Sequence, residues 1–115
     1  MTVIAVFNMK GGVGKTTIAA NLAAAIAKNG VELLLIDLDP QAHLTSMYGI
    51  KTTGSKSIYR FYQGLSALSD LIVPLPSGIH FIPSHLELGK VDAQVARHKD
   101  NIWRLQLGLH AEMLS

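Results

Sequence analysis

No cysteine occurs among the 115 residues of this sequence. That excludes a disulfide framework and a cysteine-ligated metal or iron–sulfur centre on this chain. No apolar run approaches the length of a membrane span, and no charged leader precedes the first apolar stretch. The expectation is a soluble, cytoplasmic protein without a membrane role. Dense charge is missing as well. Ten Lys and Arg against eight Asp and Glu leave a net charge of +2, and the pI near 9.1 reflects that small excess. The most basic stretch, Arg97-His98-Lys99, reads as a solvated helix end rather than a nucleic-acid surface. Internal repeats, low-complexity segments and linkers are absent too, so residues 1–115 read as one small domain. What the chain does have is apolar character, with 49% hydrophobic residues and a mean hydropathy of +0.30. That argues against disorder and for a real core.

The apolar residues fall into short blocks. Val3-Ile4-Ala5-Val6-Phe7 is β-branched and reads as a buried parallel strand. Residues 16–29 read as a helix, with Ile18, Leu22 and Ile26 spaced four apart on the expected inward face, and Asn29-Gly30 as its stop. Residues 32–39 read as a second strand that ends in carboxylates at Pro40. Strand, glycine-rich loop, helix and strand together make one βαβ unit with a right-handed crossover. Further along, short helices are expected over 42–48 and 57–63, the latter turning Ile58, Phe61 and Tyr62 inward. A third strand is expected at Ile79-His80-Phe81-Ile82. A helix is expected over 86–99, with Leu88, Val91 and Val95 on one side. The C-terminal stretch carries conflicting signals. Trp103, Leu105, Leu107 and Leu109 alternate with polar residues as in a strand. Yet helix formers dominate, and Ile102, Leu105, Leu109 and Met113 also fit a helical stripe. Helix is the reading adopted.

Chemistry concentrates in residues 8–17, NMKGGVGKTT. A loop that holds phosphate needs successive N–H groups turned into one concavity. Side chains there would block the anion, and some positions need φ values that only glycine takes at low cost. Gly11, Gly12 and Gly14 meet that need, with Val13 between them. A helix beginning near Lys15 adds the partial positive charge of its N-terminus. Lys15 can reach the β- and γ-phosphates, and the Thr16 hydroxyl is placed to ligate Mg²⁺. The usual spacing of such a loop puts its first glycine at position 9, where this chain has Met9 followed by Lys10. The second cluster is Asp37-Leu38-Asp39-Pro40-Gln41, at the C-terminal end of the second strand, where ligands bind in open α/β sheets. Alternation sets Asp37 and Asp39 on one side, and two carboxylates beside a phosphate loop call for cations. His80, His85, His98 and His110 share no metal-ligand spacing and read as structural or exposed.

Lys10-Gly11-Gly12-Val13-Gly14-Lys15-Thr16-Thr17 resembles the deviant Walker A motif, K-G-G-x-G-K-T-T, of the ParA/MinD superfamily of ATPases. The Asp37–Gln41 stretch resembles that family's second element, and its wording points to the ParA, Soj-like partition branch. Phe81-Ile82-Pro83-Ser84, followed by Leu86 and Leu88, resembles the family's third-strand region. The resemblance implies a P-loop NTPase-like parallel sheet flanked by helices, of which this chain is the N-terminal half. It implies ATP and Mg²⁺ bound by Gly11, Gly12, Val13, Gly14, Lys15, Thr16 and Thr17. Thr16, Asp37 and Asp39 would serve the cation, and Lys10 and Asp39 would be catalytic. Lys10 would reach across an ATP-dependent homodimer to the partner's nucleotide, and Asp39 would help organise the attacking water. Gln41 would be a switch contact, and His43 stands where an Asn is frequent. Non-specific DNA and a ParB-like activator are implied as partners, with nucleoid association if DNA is bound. A truncated nucleotide-binding remnant without turnover and a MinD-like or other-cargo ATPase are the alternatives. The chain stops about where the family's Walker B strand would begin, so a marginal monomer, a swapped dimer or aggregation is expected.

Overall fold

The computed structural model describes residues 2–6, 13–39, 41–51, 56–76, 78–85 and 98–112, with backbone alone at 13–15 and 98–102. Its elements run β1 (Thr2–Val6), α1 (Val13–Lys28), β2 (Leu33–Asp37), α2 (His43–Met47), α3 (Ile58–Tyr62), a 3-10 turn (Leu68–Leu71), β3 (Val73–Pro74), β4 (Ile79–Ile82) and α4 (His98–Ala111). The sheet order is β1-β2-β4-β3. β1 and β4 flank β2 in parallel, in a register that pairs Val6 with Asp37 and Ile36 with Ile82. β3 is antiparallel to β4. This is the α/β architecture expected from the sequence.

Every residue of β2 is buried, because the strand has a layer on each face. Leu34, Ile36 and Leu38 pack with Ile58, Tyr62, Leu105 and Leu109 on one side. Leu33 and Leu35 pack with Ala23, Leu44 and Phe81 on the other. A strand covered twice needs apolar residues at successive positions, which is why its sequence runs without alternation.

The inward face expected for α1 is corrected. Ile18 is 67% and Leu22 50% exposed, while Ala23 is fully buried, and Ala20, Ile26 and Ala27 pack beside it. Alanines let the helix axis lie close to the sheet, so the small side of the helix makes the contact and two of its larger residues turn away. The short helices 42–48 and 57–63 are present with each end trimmed by a residue, and the strand 79–82 is present with its expected bounds. α3 buries Ile58 and Tyr62 as expected and also Tyr59. Most of the helix expected over 86–99 lies outside the described residues. The conflict at the C-terminal stretch is resolved as helix, and α4 buries Leu105 and Leu109 while Trp103 and Leu107 stay exposed. β3 was not anticipated. It has two residues, one of them a proline, and proline within a sheet is confined to edges where no ladder N–H is missed.

Candidate nucleotide site

The site forms where β1 and β2 end. The Leu38 N–H donates to the Val6 carbonyl at 2.8 Å, extending the parallel ladder one step past β2. The chain that leaves β1 therefore begins its loop beside Asp37, Leu38 and Asp39. Only residues 7–12 separate β1 from α1, whose helical backbone starts at Val13, three residues ahead of the expected range 16–29. Lys10, Gly11 and Gly12 lie outside the described residues. Val13, Gly14 and Lys15 lie in the first turn of α1. Thr16 is buried there at 5% exposure, and Thr17 is exposed.

Asp37 is fully buried. Its Oδ1 accepts from the Asp39 N–H at 2.9 Å. Its Oδ2 accepts from the Thr45 N–H at 3.0 Å and the Thr45 hydroxyl at 2.7 Å. Burial pushes this carboxyl above its ordinary value, the Thr45 hydroxyl and the two amides pull it back, and Asp39 adds a small upward push. A carboxylate offers about four acceptor positions, so a cation at Asp37 would join this network rather than replace it. The network extends through Thr45, whose Oγ1 accepts from the Ser84 N–H at 2.9 Å. The Ser84 hydroxyl in turn donates to the Asp39 carbonyl at 2.6 Å. Asp37, Thr45 and Ser84 thus tie the ends of β2 and β4 to the first turns of α2.

Asp39, two residues on, is almost wholly buried as well. Its Oδ1 accepts from the Gln41 N–H at 2.8 Å. Its Oδ2 accepts from the His43 N–H at 3.0 Å and lies 2.6 Å from His43 Nδ1. The Asp39 carbonyl accepts from the Ala42 N–H at 2.8 Å. Ala42 completes this tight turn with φ +56° and ψ +39°, a left-handed conformation that costs a non-glycine residue about 1 kcal/mol. An open cleft of about 340 Å³ adjoins the turn, lined by Gln41, Thr45, Ser46, Lys51, Ser84 and His85 among others.

The structure thus brings Asp37 and Asp39 to the point where the glycine-rich loop leaves the sheet. Gln41 contributes its backbone amide to Asp39. Thr45 and Ser84 were not identified as site residues from sequence, because a Thr in a short helix and a Ser after a strand carry no spacing signal. His43, which stands where the family often has Asn, bonds Asp39 through both its backbone N–H and its ring. Among the described residues, no three His, Asp or Glu come together as a metal cluster, and no helix is long and apolar enough to cross a membrane.

A family model described as an AAA domain matches residues 1–113. The chromosome-partitioning ATPase Soj of Thermus thermophilus is 42% identical over 93 residues, covering 81% of this chain and 36% of that protein. A plasmid partition protein of Borrelia burgdorferi has a crystal structure that superposes with a TM-score of 0.78 at 32% identity, covering 96% of this chain and 50% of that one. Cobyrinic acid a,c-diamide synthase of Mycobacterium smegmatis, crystallised with an ATP analogue and magnesium, superposes with a TM-score of 0.82 at 31% identity, covering 96% and 46%. The chain therefore spans between about a third and half the length of these relatives. With a P-loop NTPase-like sheet and these relatives beside it, the chain belongs to the AAA-domain family and, within it, to the ParA/Soj type of partition ATPase.

Proposed function

We propose that this chain binds ATP with Mg²⁺ at the β1–α1 loop and forms the nucleotide-binding part of a partition ATPase that hydrolyses ATP to ADP and phosphate. The observation that carries the reading is the Leu38 N–H to Val6 carbonyl bond, which sets the aspartate pair beside the start of the glycine-rich loop. The residues fit the ligand. Gly11, Gly12, Val13 and Gly14 offer backbone amides, Lys15 the charge for the β- and γ-phosphates, and Thr16 and Thr17 hydroxyls in the first turn of α1. Bound Mg²⁺ supplies charge neutralisation between phosphate oxygens. Thr16, Asp37 and Asp39 would hold its shell, with Asp37 also tied to Thr45. Lys10 is the trans-acting cation in an ATP-dependent homodimer, where it stabilises charge developing on the partner's nucleotide. DNA, a ParB-like activator and a place on the nucleoid follow from kinship with the partition proteins. A second reading is nucleotide binding without turnover.

Titration with Mg²⁺–ATP, followed by a phosphate-release assay on wild type, Lys10→Ala and Lys15→Ala, tests both. A charge-assisted phosphate contact is worth roughly 1.5–3 kcal/mol, so Lys15→Ala weakens binding at least about tenfold. Lys10→Ala keeps ATP binding and loses hydrolysis. Wild-type binding without phosphate release selects the second reading. Wild-type chain that binds no Mg²⁺–ATP refutes both.

A further inference from the structure

We infer that His43 is the positioning residue for Asp39, holding one carboxylate oxygen, Oδ2, through Nδ1–H and so fixing the orientation in which the other, Oδ1, is presented. This deepens the proposed function and rests on it for what Oδ1 is presented to. The hydrogen bond itself stands on geometry alone. A carboxylate only accepts, so the proton in the 2.6 Å contact sits on His43 Nδ1. That contact is shorter than an ordinary N–H···O bond, as contacts to an ionised acceptor are.

The two oxygens of Asp39 are not equivalent. Among the described residues, Oδ2 is held by the His43 backbone N–H and by the His43 ring, whereas Oδ1 carries only the Gln41 amide. Amides alone would grip the two oxygens symmetrically, one each, and leave the carboxylate free to rock about its Cβ–Cγ bond. The ring adds a second bond to one oxygen and breaks that symmetry. Its position is set by the backbone. The left-handed turn at Ala42 brings residue 43 back over residue 39, so main chain and side chain of His43 converge on the same oxygen. The Asp39 side chain is 4% exposed and that of His43 40%. The ring is therefore the exposed member of the pair, and part of it remains accessible to exchange.

Two substitutions isolate the ring's role. In His43→Asn, Nδ2 lies the same number of bonds from the backbone as Nδ1 and can donate to the same oxygen. His43→Leu has the same branching and no donor. Both keep the backbone N–H to Oδ2. In the ligand-free chain, long-range ¹⁵N–¹H spectra of the imidazole report which nitrogen carries the proton, and the ¹³Cγ resonance of Asp39 reports the carboxylate's hydrogen bonding. Expected are a protonated Nδ1 in wild type, a shifted Asp39 resonance in His43→Leu, and a resonance restored toward wild type in His43→Asn. In phosphate release with Mg²⁺–ATP, His43→Leu is expected to lose roughly tenfold in kcat, as removal of an orienting partner does, with KM for ATP little changed and kcat recovered in His43→Asn. A wild-type ring protonated only on Nε2, or an Asp39 resonance identical in wild type and His43→Leu, overturns the inference whatever the turnover. Equal kcat in wild type and His43→Leu overturns it also. A wild type inert toward Mg²⁺–ATP refutes the enzyme reading, and the spectra alone then decide whether His43 positions Asp39.

Discussion

Replacing Thr45 with valine asks whether the buried polar network at the end of β2 holds this junction together. Valine keeps the shape and the β-branch and removes only the hydroxyl. That hydroxyl donates to Asp37 Oδ2 at 2.7 Å and accepts from the Ser84 N–H at 2.9 Å, and both neighbours are fully buried. A hydrogen bond to a charged group contributes about 1.5–3 kcal/mol, and a buried N–H left without a partner costs about 1–3 kcal/mol. The two effects share one oxygen and do not add in full, so a loss of about 3 kcal/mol is expected. The loss also depends on pH. Burial already raises the Asp37 carboxyl above its ordinary 3.8, and the Thr45 hydroxyl is the largest of the effects that lower it. Without the hydroxyl the carboxyl rises further. A carboxyl raised by folding contributes stability that is complete below the ordinary value and is lost as pH rises through the folded-state value. The gap between wild type and Thr45→Val therefore widens from pH 4 to pH 7. Urea unfolding at both pH values, compared at constant m, measures it. A loss under about 0.5 kcal/mol, the range of neutral surface changes, or a gap that narrows as pH rises, would show that the network does not carry the junction.

Two further predictions concern packing away from the site. The Glu112 carboxylate accepts from the Leu68 and Ser69 N–H groups at 2.7 and 2.8 Å, capping the 3-10 turn from 43 residues away in sequence. Glu112→Ala should lower stability by about 1–2 kcal/mol, as loss of a cap does, and a urea midpoint that does not move would rule out that role. At the other end of the chain, Thr2 N–H and the Val6 carbonyl both point toward β2. Strand alternation then turns the N–H and C=O groups of Val3 and Ala5 to the outer edge of β1, which has no second neighbour among the described residues. An unpaired strand edge is a template for association, so thermal unfolding of the 115-residue chain should depend on protein concentration. Ala5→Pro, which removes an outward N–H and no β1–β2 bond, should weaken that dependence. A cooperative, concentration-independent transition well above room temperature would contradict the prediction.

The sequence by itself determined the parts whose signals are local. Continuous β-branched and aliphatic runs specify strands covered on both faces, and the spacing of glycine, lysine and threonine between such a run and a helix points to a phosphate loop. The Asp37–Gln41 stretch was legible for the same reason, since its residues lie within five positions at a strand end. What only the tertiary structure decided depends on partners far apart in the chain. The face α1 presents to the sheet was misread because hydrophobicity favours Ile18 and Leu22, whereas close approach to a flat sheet favours alanine. The C-terminal helix could be told from a strand by composition, but its role in covering Leu34 and Ile36 could not. Asp37 and Asp39 read alike in sequence, two carboxylates on one side of a strand. The fold separates them by their partners: Thr45, eight residues on, holds Asp37 Oδ2 and is itself held by Ser84, another 39 residues away, while His43 holds Asp39 Oδ2. Such a difference lies in hydrogen-bond directions, which chain spacing does not encode and three-dimensional packing does.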